Sequence, residues 1–325
     1  MHLETDDDLR ALCQSGITTG LDMACWPHDK VKSLRNRSGM ADIRSPGLPA
    51  TCPGSMHSAI LPLPSEHLVT NAEDAIRFVH DRLNEEADYI KVIADVSGPD
   101  QATLNTLVSE AHRYHKLVIA HAAYTTAFHM ALDAKADIIT HSPLDETLDE
   151  STISRMLTEN HIAVPTLVMM EAMSKPISLF TIVKTLFFRP LLVLGVLRVL
   201  RANPSMPTGR NYTAARDSVT AMYKAGVPIL VGTDANSEPD SPAPVRHGES
   251  FHRELELLVE AGMSTVDVLR GATVLAARYF GLKDRGTIEV GKRADLVLLS
   301  QNPLEDIRAS KSILRVWCAG VEVVG

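Results

Sequence analysis

The stretch VIAHAAY, residues 118–124, opens as an apolar run that leads into a histidine. Three other stretches share this design, an apolar, strand-like run that carries or leads into one polar residue: DYIKVIAD (88–95), DIITH (137–141) and VGTDAN (231–236). The four polar residues are Lys91, His121, His141 and Asp234. Continuous apolar runs of this kind are typical of strands covered on both faces of a sheet. We therefore expect a parallel sheet with chemistry-bearing side chains at its strand ends.

Outward from these stretches, short apolar runs alternate with longer segments of helical period, which is the order expected of βα units. The candidate strands are residues 17–23, 89–94, 117–120, 137–140, 162–167 and 227–232. Periodicity does not separate a doubly wound sheet from a closed barrel. His121, His141 and Asp234 fall at the C-terminal ends of their strands, where a (β/α)8 barrel places its catalytic groups. We therefore predict an α/β fold of the TIM-like (β/α)8 barrel type.

Two regions differ from this alternation. Residues 36–63 are rich in Pro, Gly and Ser, and we expect a third strand near 41–44 followed by a long active-site loop. After Leu282 the pattern changes to short strands and turns, which predicts a β appendage too small to fold alone and therefore packed on the barrel. The predicted domains are a barrel over 1–281 and an appendage over 282–325.

The composition is ordinary for a globular chain of 325 residues, with 45% hydrophobic and 22% charged residues. The net charge of -8 is spread along the chain without a basic block, so nucleic acid is not an expected partner. The cysteines have neither CxxC spacing nor the density of a disulfide-stapled domain, which predicts free thiols in a reducing compartment. The opening MHLETDDDLR has no apolar secretory core, so we expect a cytoplasmic protein.

The longest apolar region is residues 177–200, which contain Lys184, Arg189 and Arg198 as well as the helix breaker Pro190. A spanning helix needs about 20 largely uncharged residues, so we expect no membrane span. A pair of buried or lid helices is the favoured interpretation. The alternatives are an apolar mouth of a substrate pocket, shaped together with the Pro-rich residues 237–245, and a contact surface for another chain, such as a second copy in a homo-oligomer.

Lys91 stands out because its neighbours in the predicted strand are apolar. A lysine in such a place must either pair its charge or lose its proton. Asp88 and Asp95, at the ends of the stretch, are the candidate partners for an ion pair. A neutral amine, by contrast, can add carbon dioxide and form an anionic carbamate able to bridge two metal ions.

The histidines and the aspartate have a similar pair of interpretations. His121 and His141, in successive βα units, could face one point as neutral ligands of zinc or a similar divalent ion, although a lone strand-end histidine is more often only hydrogen-bonded. Asp234 could bind metal and take a proton from water, or it could cap a helix.

These stretches, taken in order, resemble the amidohydrolase superfamily, in the branch of imidazolonepropionase-like proteins and metal-dependent Xaa-Pro dipeptidases. Further similar segments extend the resemblance from His2 to the C-terminus: GITTGLDM (16–23), VPTL (164–167), HGESFHRELELLVEAGMS (247–264) and GTIEVGKRADLVLL (286–299). The resemblance implies a barrel with a small C-terminal β-sandwich remnant and a metal-dependent hydrolysis.

The resemblance also implies roles for individual residues. Lys91 matches a carboxylated lysine that bridges two metals, and His121 and His141 match the ligands of one of them. Asp234 matches a ligand that also moves the proton.

The resemblance extends to three further residues. Tyr124 matches a position that polarises the scissile carbonyl or holds a substrate carboxylate, with a packing role as an equal alternative. His247 is a weaker candidate for substrate contact. The superfamily opens its barrel with a His-x-His on strand 1, and here His2 resembles only the second histidine, so most of strand 1 lacks a counterpart. We therefore expect one or two divalent ions, zinc above all.

Two hypotheses follow. The first is a hydrolase that cleaves an amide, lactam or dipeptide-like C–N bond of a small molecule through attack of metal-bound hydroxide. The second is a truncated, catalytically impaired relative that acts as a binding or oligomerisation partner. A deaminase is a less favoured variant, because Lys91 is present and HAAYTT (121–126) offers no glutamate.

Overall fold

The computed structural model describes residues 1–61, 63–176, 179–236 and 243–324. The strands in these ranges are β1 (Thr19–Leu21), β2 (Asp42–Arg44), β3 (Ile90–Ile93), β4 (Val118–His121), β5 (Ile138–Thr140), β6 (Ile162–Val164), β7 (Leu296–Leu299), β8 (Ile313–Cys318) and β9 (Val321–Val324). The helices are α1 (Asp6–Gln14), α2 (His28–Leu34), α3 (Met56–Ile60), α4 (Ala72–Asn84), α5 (Gln101–Arg113), α6 (Thr125–Asp133), α7 (Glu150–Thr158), α8 (Leu167–Ser174), α9 (Leu179–Phe188), α10 (Pro190–Ala202), α11 (Tyr212–Ala225), α12 (Glu249–Glu260), α13 (Thr265–Ala272) and α14 (Val274–Tyr279).

The parallel strands confirm the α/β prediction. β1 pairs with β2, and β3, β4, β5 and β6 form a second sheet in chain order. Single parallel bridges extend the second sheet at both sides, from Ala50 to Val92 and from Ile229 to Ala163. The predicted strand at 227–232 is represented only by the second of these bridges. The closed eight-unit ring stays a prediction.

The first three residues lie between β1 and the segment that follows Ile229. The carbonyl of Met1 accepts a hydrogen bond from the N–H of Met23 at 2.9 Å, and the N–H of His2 donates to the carbonyl of Ala235 at 2.7 Å. A cavity of about 530 Å³ lies along this seam, and its wall includes Leu21, Leu230 and Val297.

Side chains alternate between the two faces of the central strands, so the strands lie between an outer apolar layer on the helix side and an inner apolar layer. Ile90 and Val92 pack against the helices, whereas Ile119, Ile138 and Ile162 belong to an inner cluster. Lys91 is in register with Ile119, so it lies at an inner-layer position of its strand.

Helix ends follow local sequence signals. Asp100 caps α5 by accepting the N–H of Thr103 at 2.8 Å, and Ser264 caps α13 by accepting the N–H of Asp267 at 3.1 Å. A single helix from Ser264 to about Phe280 would be the simplest expectation, but the backbone of Thr273 (φ -129°, ψ -94°) divides it into α13 and α14.

The C-terminal part is a three-stranded antiparallel sheet in the order β7, β8, β9. It packs on the N-terminal part of the chain, where the Sγ atoms of Cys13 and Cys318 are 3.2 Å apart and Arg285 pairs with Asp42 at 2.8 Å. The domain division between 281 and 282 stays a prediction.

The apolar region 177–200 forms two short helices, α9 and α10, apart from residues 177 and 178, which lie outside the described ranges. The prediction of a pair of helices is confirmed, but burial of the pair was wrong, because large apolar side chains of both helices are exposed, among them Phe187 at 78% and Leu191 at 82%. A lid role stays a prediction. None of the helices in the described part of the chain is long and apolar enough to cross a bilayer. The predicted pocket loop at 237–245 falls largely on residues 237–242, which are also outside the described ranges.

Candidate active site

The two strand-end histidines meet. His121 is the last residue of β4, and His141 follows β5 directly. The Nδ1 of His121 and the Nε2 of His141 are 2.8 Å apart, and the other ring nitrogen of His141 lies 2.7 Å from the Oγ1 of Thr166. The parallel register of β4 and β5 thus brings together side chains that are 20 residues apart in the sequence.

Lys91 is buried without an ion pair to either predicted aspartate. Its Nζ donates to the Oγ1 of Thr140 at 2.8 Å, while Asp88 pairs with Arg35 at 2.7 Å and Asp95 accepts from the hydroxyl of Ser97 at 3.3 Å. The ion-pair interpretation of Lys91 was therefore wrong. Burial lowers the pKa of Lys91 to about 8, against the opposing charge of Asp234.

Asp234 lies in a loop rather than at a helix N-terminus, so its capping interpretation was wrong. Its Oδ1 is 3.3 Å from the Nε2 of His2. Burial alone would raise the pKa of Asp234, but the hydrogen bond from His2 holds the pKa of this carboxyl well below its usual value. Asp234 is thus a carboxylate inside the fold.

Both strand-end imidazoles are neutral at physiological pH. Burial, together with nearby cationic groups such as Lys91, lowers the pKa of His141 to about 3. Burial and the neighbouring His57 lower the pKa of His121 well below its usual value. Neutral imidazole is the form that binds a metal ion.

His57 is a site residue that the sequence argument missed. It lies in α3, and its ring centroid is 4.5 Å from that of His121. Its Nδ1 is buried and has no hydrogen-bond partner among the described residues, and burial lowers its pKa to about 4. The one available signal was its place in the predicted loop after the third strand, where such folds carry functional groups.

Three strand-end residues have a left-handed backbone although none of them is glycine. They are His141 (φ 77°), Thr166 (φ 49°) and Asp234 (φ 54°). Such conformations cost about 1–3 kcal/mol each and cluster at functional sites. Their position at neighbouring strand ends is consistent with a binding site there.

Tyr124 and His247 take different positions. Tyr124 is the N-cap residue of α6, is half-buried, and has a pKa raised by burial, so its hydroxyl stays protonated. His247 contacts the carbonyl of His2 at 2.8 Å and a carboxylate oxygen of Asp8 at 3.3 Å. It therefore contacts the segment that carries His2, and its role in substrate binding stays a prediction.

The donor set suits a divalent metal, although its spacing does not form a ready cage. Within the described ranges, no group of three or more His, Cys, Asp or Glu side chains is spaced to hold one ion. The chemistry nevertheless fits: neutral imidazoles at His121 and His141, a partly exposed carboxylate at Asp234, and a lysine whose pKa is lowered by burial.

The sequence identifies the class of protein. A sequence model of the Amidohydrolase family matches residues 6–323. The chain therefore belongs to the amidohydrolase family, a class of hydrolases that act on carbon–nitrogen bonds.

Curated relatives match shorter stretches. Ochratoxinase of Aspergillus niger is 34% identical over 103 residues, which is 30% of this chain and 19% of that protein. Imidazolonepropionase of Deinococcus deserti is 34% identical over 108 residues, 31% of this chain and 25% of that protein. Adenine deaminase 2 of Desulfotalea psychrophila is 40% identical over 67 residues, 21% and 11% of the two chains. These matches span a quarter or less of the relatives' length.

Solved structures share the fold over nearly the whole chain. A Xaa-Pro dipeptidase with bound methionine superposes with a TM-score of 0.75 and 22% identity, covering 98% of this chain and 78% of that one. Ochratoxinase of A. niger superposes with a TM-score of 0.73 and 20% identity, covering 98% of this chain and 75% of that one. At these identities the likeness establishes the fold alone.

Proposed function

We propose that this chain is a metal-dependent hydrolase that cleaves an amide, lactam or dipeptide-like C–N bond in a small molecule. The observation that carries the proposal is the grouping of His121, His141, Lys91 and Asp234 at the strand ends, where the two imidazoles are neutral and Asp234 is ionised, as metal binding requires. A bound divalent ion, zinc in the simplest case, would polarise the substrate carbonyl and lower the pKa of a water molecule toward neutrality.

His121, His141 and Lys91 would hold one ion, and Lys91, Asp234 and His2 would supply donors for a second. Lys91 takes part as a carbamate: its neutral amine forms an N–C bond to carbon dioxide and releases a proton to solvent. The product is an anion with two oxygen donors. The lowered pKa of Lys91 supports this step, because a protonated amine has no lone pair with which to react.

The remaining residues handle protons and substrate. Asp234, a carboxylate at neutral pH, accepts a proton from the attacking water and passes it to the leaving nitrogen. The partner-free Nδ1 of His57 and the protonated hydroxyl of Tyr124 are suited to hydrogen bonds with the substrate's carbonyl or carboxylate oxygens. A cytoplasmic location is part of the proposal and is supported by the four free cysteine thiols.

The test combines metal content with turnover. The purified protein, loaded with zinc in bicarbonate buffer, is assayed against an Xaa-Pro dipeptide, an imidazolone lactam and a simple aromatic amide, before and after chelation. We expect hydrolysis of at least one that is lost on chelation and restored by zinc. Turnover that is indifferent to chelation would contradict the proposal.

A lysine variant isolates the carbamate. Lys91→Ala should bind less zinc and lose the stimulation of zinc binding by bicarbonate, whereas Lys32→Ala, at an exposed position of α2, should match the wild type. Metal content by mass spectrometry gives a readout that does not depend on the choice of substrate.

Two alternatives have distinct outcomes in the same assays. Release of ammonia from adenine would identify a deaminase, the activity named by the match to adenine deaminase 2. A folded protein that binds no zinc, even in bicarbonate, would support the impaired relative that acts as a binding partner.

A further inference from the structure

Helices α9 and α10, which are joined at Arg189 and called the hairpin below, carry a large exposed apolar surface. Its exposed apolar side chains include Val183, Leu186, Phe187 and Phe188 in α9, and Leu191, Leu194 and Leu197 in α10. Their exposures run from 50% to 82%. Phe187, Phe188 and Leu191 lie where the two helices join, so the most exposed apolar groups are at this junction, here called the tip.

The charge of the two helices is opposite to that of the protein. Residues 179–202 contain four Lys and Arg residues and no Asp or Glu residue. Arg198 and Arg201 of α10 are exposed. A basic, apolar surface on a chain of net charge -8 indicates attraction to an anionic surface.

The hairpin is attached to the body of the protein at one side. Val199 of α10 is buried, and Gly195 lies against Ala59 of α3, since a Cβ placed on Gly195 would be 3.5 Å from that of Ala59. Leu191, Leu194 and Leu197 of α10 are exposed, as are Val183, Phe187 and Phe188 of α9.

We propose that the α9–α10 hairpin docks the protein on the surface of an anionic lipid bilayer. The helices have 10 and 13 residues, so they reach about 15 and 20 Å, too short to span a bilayer but of a length suited to lying in its interface. The phenylalanines and leucines enter the boundary of the acyl chains, and the arginines extend along it to the phosphate groups.

A second copy of the chain is a poorer occupant. Two-fold association through this hairpin would place the same basic residues opposite each other, with no acidic residue of the segment to pair with them. An anionic bilayer offers both an apolar interior and negative charge. The proposal does not depend on the hydrolase activity.

The test is co-sedimentation of the full chain with phosphatidylcholine vesicles, with and without phosphatidylserine. We expect binding to the serine-lipid vesicles that weakens as salt rises. The tip variant Phe187→Ser/Phe188→Ser/Leu191→Ser should reduce the partition coefficient about 100-fold or more, given the contribution of three large apolar side chains. Arg198→Gln/Arg201→Gln should reduce binding to the serine-lipid vesicles and its dependence on salt.

A matched control separates this surface from exposed apolar groups in general. Ile288, Val290 and Leu304 are exposed by 88%, 108% and 53% in the C-terminal part, and Ile288→Ser/Val290→Ser/Leu304→Ser should bind as the wild type does. In a separate variant, Phe188→Trp should show blue-shifted fluorescence on vesicle addition. Equal binding by the tip variant and the wild type, or no binding by either, would overturn the proposal. A wild-type dimer that the tip variant dissociates, without vesicle binding, would overturn it in favour of a second copy.

Discussion

Burial shifts the pKa of individual side chains in this protein, and the direction of the shift depends on whether the ionised form is a cation or an anion. The buried Lys91 and His141 tend toward their neutral forms, with pKa values lowered to about 8 and about 3. Asp234 stays ionised because its carboxylate accepts a hydrogen bond from His2. One site therefore presents neutral nitrogen donors and an anionic oxygen donor together.

Glu254 of α12 shows the same effect away from the site. Its side chain is fully buried, and its two carboxyl oxygens accept the N–H groups of Leu167 and Val168 at 2.9 and 2.7 Å. Burial raises the pKa of Glu254 to about 8, and the two N–H groups oppose that rise only in part. Between about pH 4.5 and about pH 8, the Glu254 carboxyl therefore stays protonated in the folded protein but is ionised in the unfolded chain.

This difference predicts a pH dependence of stability. Because the folded state binds the proton more tightly, the free energy of unfolding should fall as pH rises from about 4.5 to about 8, by at most about 1.4 kcal/mol per pH unit from this one group. Urea unfolding across that range, compared between the wild type and Glu254→Gln, should show a smaller fall in the variant. Glu249→Gln, an exposed position of the same helix, is the control. Parallel curves for all three proteins would contradict the prediction.

Sequence reasoning at this scale found residues whose type and neighbours were unusual. Lys91 could be singled out because a charge among Ile90, Val92 and Ile93 needs an explanation. His57 could not, because an isolated histidine in a loop has no local pattern, and only packing of α3 against the strand ends brings it to His121.

At the scale of elements, close backbone contacts position helices against each other. The segment before α12 is an example: Gly248 has φ of +75°, and a Cβ added there would lie 2.4 Å from the carbonyl oxygen of Ala11 in α1. That contact holds the N-terminus of α12 against α1 and fixes the neighbouring His247, which contacts the carbonyl of His2.

Gly248→Ala should therefore be strongly destabilising. We expect a loss of about 2–3 kcal/mol, from left-handed strain plus the overlap with Ala11. Gly281→Ala is the matched control, because Gly281 also has a positive φ, +68°, but has no atom within 4 Å of the added Cβ. The control should lose only about 1 kcal/mol, the strain alone. If chemical denaturation gives the same loss of unfolding free energy for Gly248→Ala and Gly281→Ala, the contact with α1 contributes nothing to stability.

The limits of element prediction have similar causes. The strand predictions at 89–94, 117–120, 137–140 and 162–167 each found a strand, because continuous burial on both faces requires apolar runs. The segment at 227–232 is similarly apolar but contains Pro228, which has no N–H to donate to a neighbouring strand, and it forms only one bridge. The break at Thr273 likewise has no signal in the helical period.

At the scale of the whole molecule, buried charge joins the C-terminal part to the rest of the chain. Arg285, 7% exposed, pairs with the buried Asp42 at 2.8 Å, and Arg44 and Arg293 lie 3.1 and 3.5 Å from the same carboxylate. The contact links the start of the C-terminal part to β2.

Arg285→Met should keep the packing of the aliphatic part of the side chain but leave the buried negative charge of Asp42 with fewer positive charges beside it. We expect a loss of about 2–3 kcal/mol in unfolding free energy, below the full effect of an isolated buried pair because two other arginines remain. Arg308→Met, which breaks the exposed pair with Asp306, should change stability by at most about 0.5 kcal/mol. Urea unfolding at neutral pH tests both. An unchanged Arg285→Met would mean that Arg44 and Arg293 alone satisfy Asp42.

The sequence by itself determined the α/β class, the family and four residues of the candidate site, because strand burial and strand-end chemistry are encoded locally. Only the tertiary structure decided which groups meet. It brought His57 to His121, gave Lys91 a hydroxyl rather than an ion pair, and left α9 and α10 exposed instead of buried. The physical reason is that burial and pairing belong to both partners of a contact, and the second partner is distant in the chain.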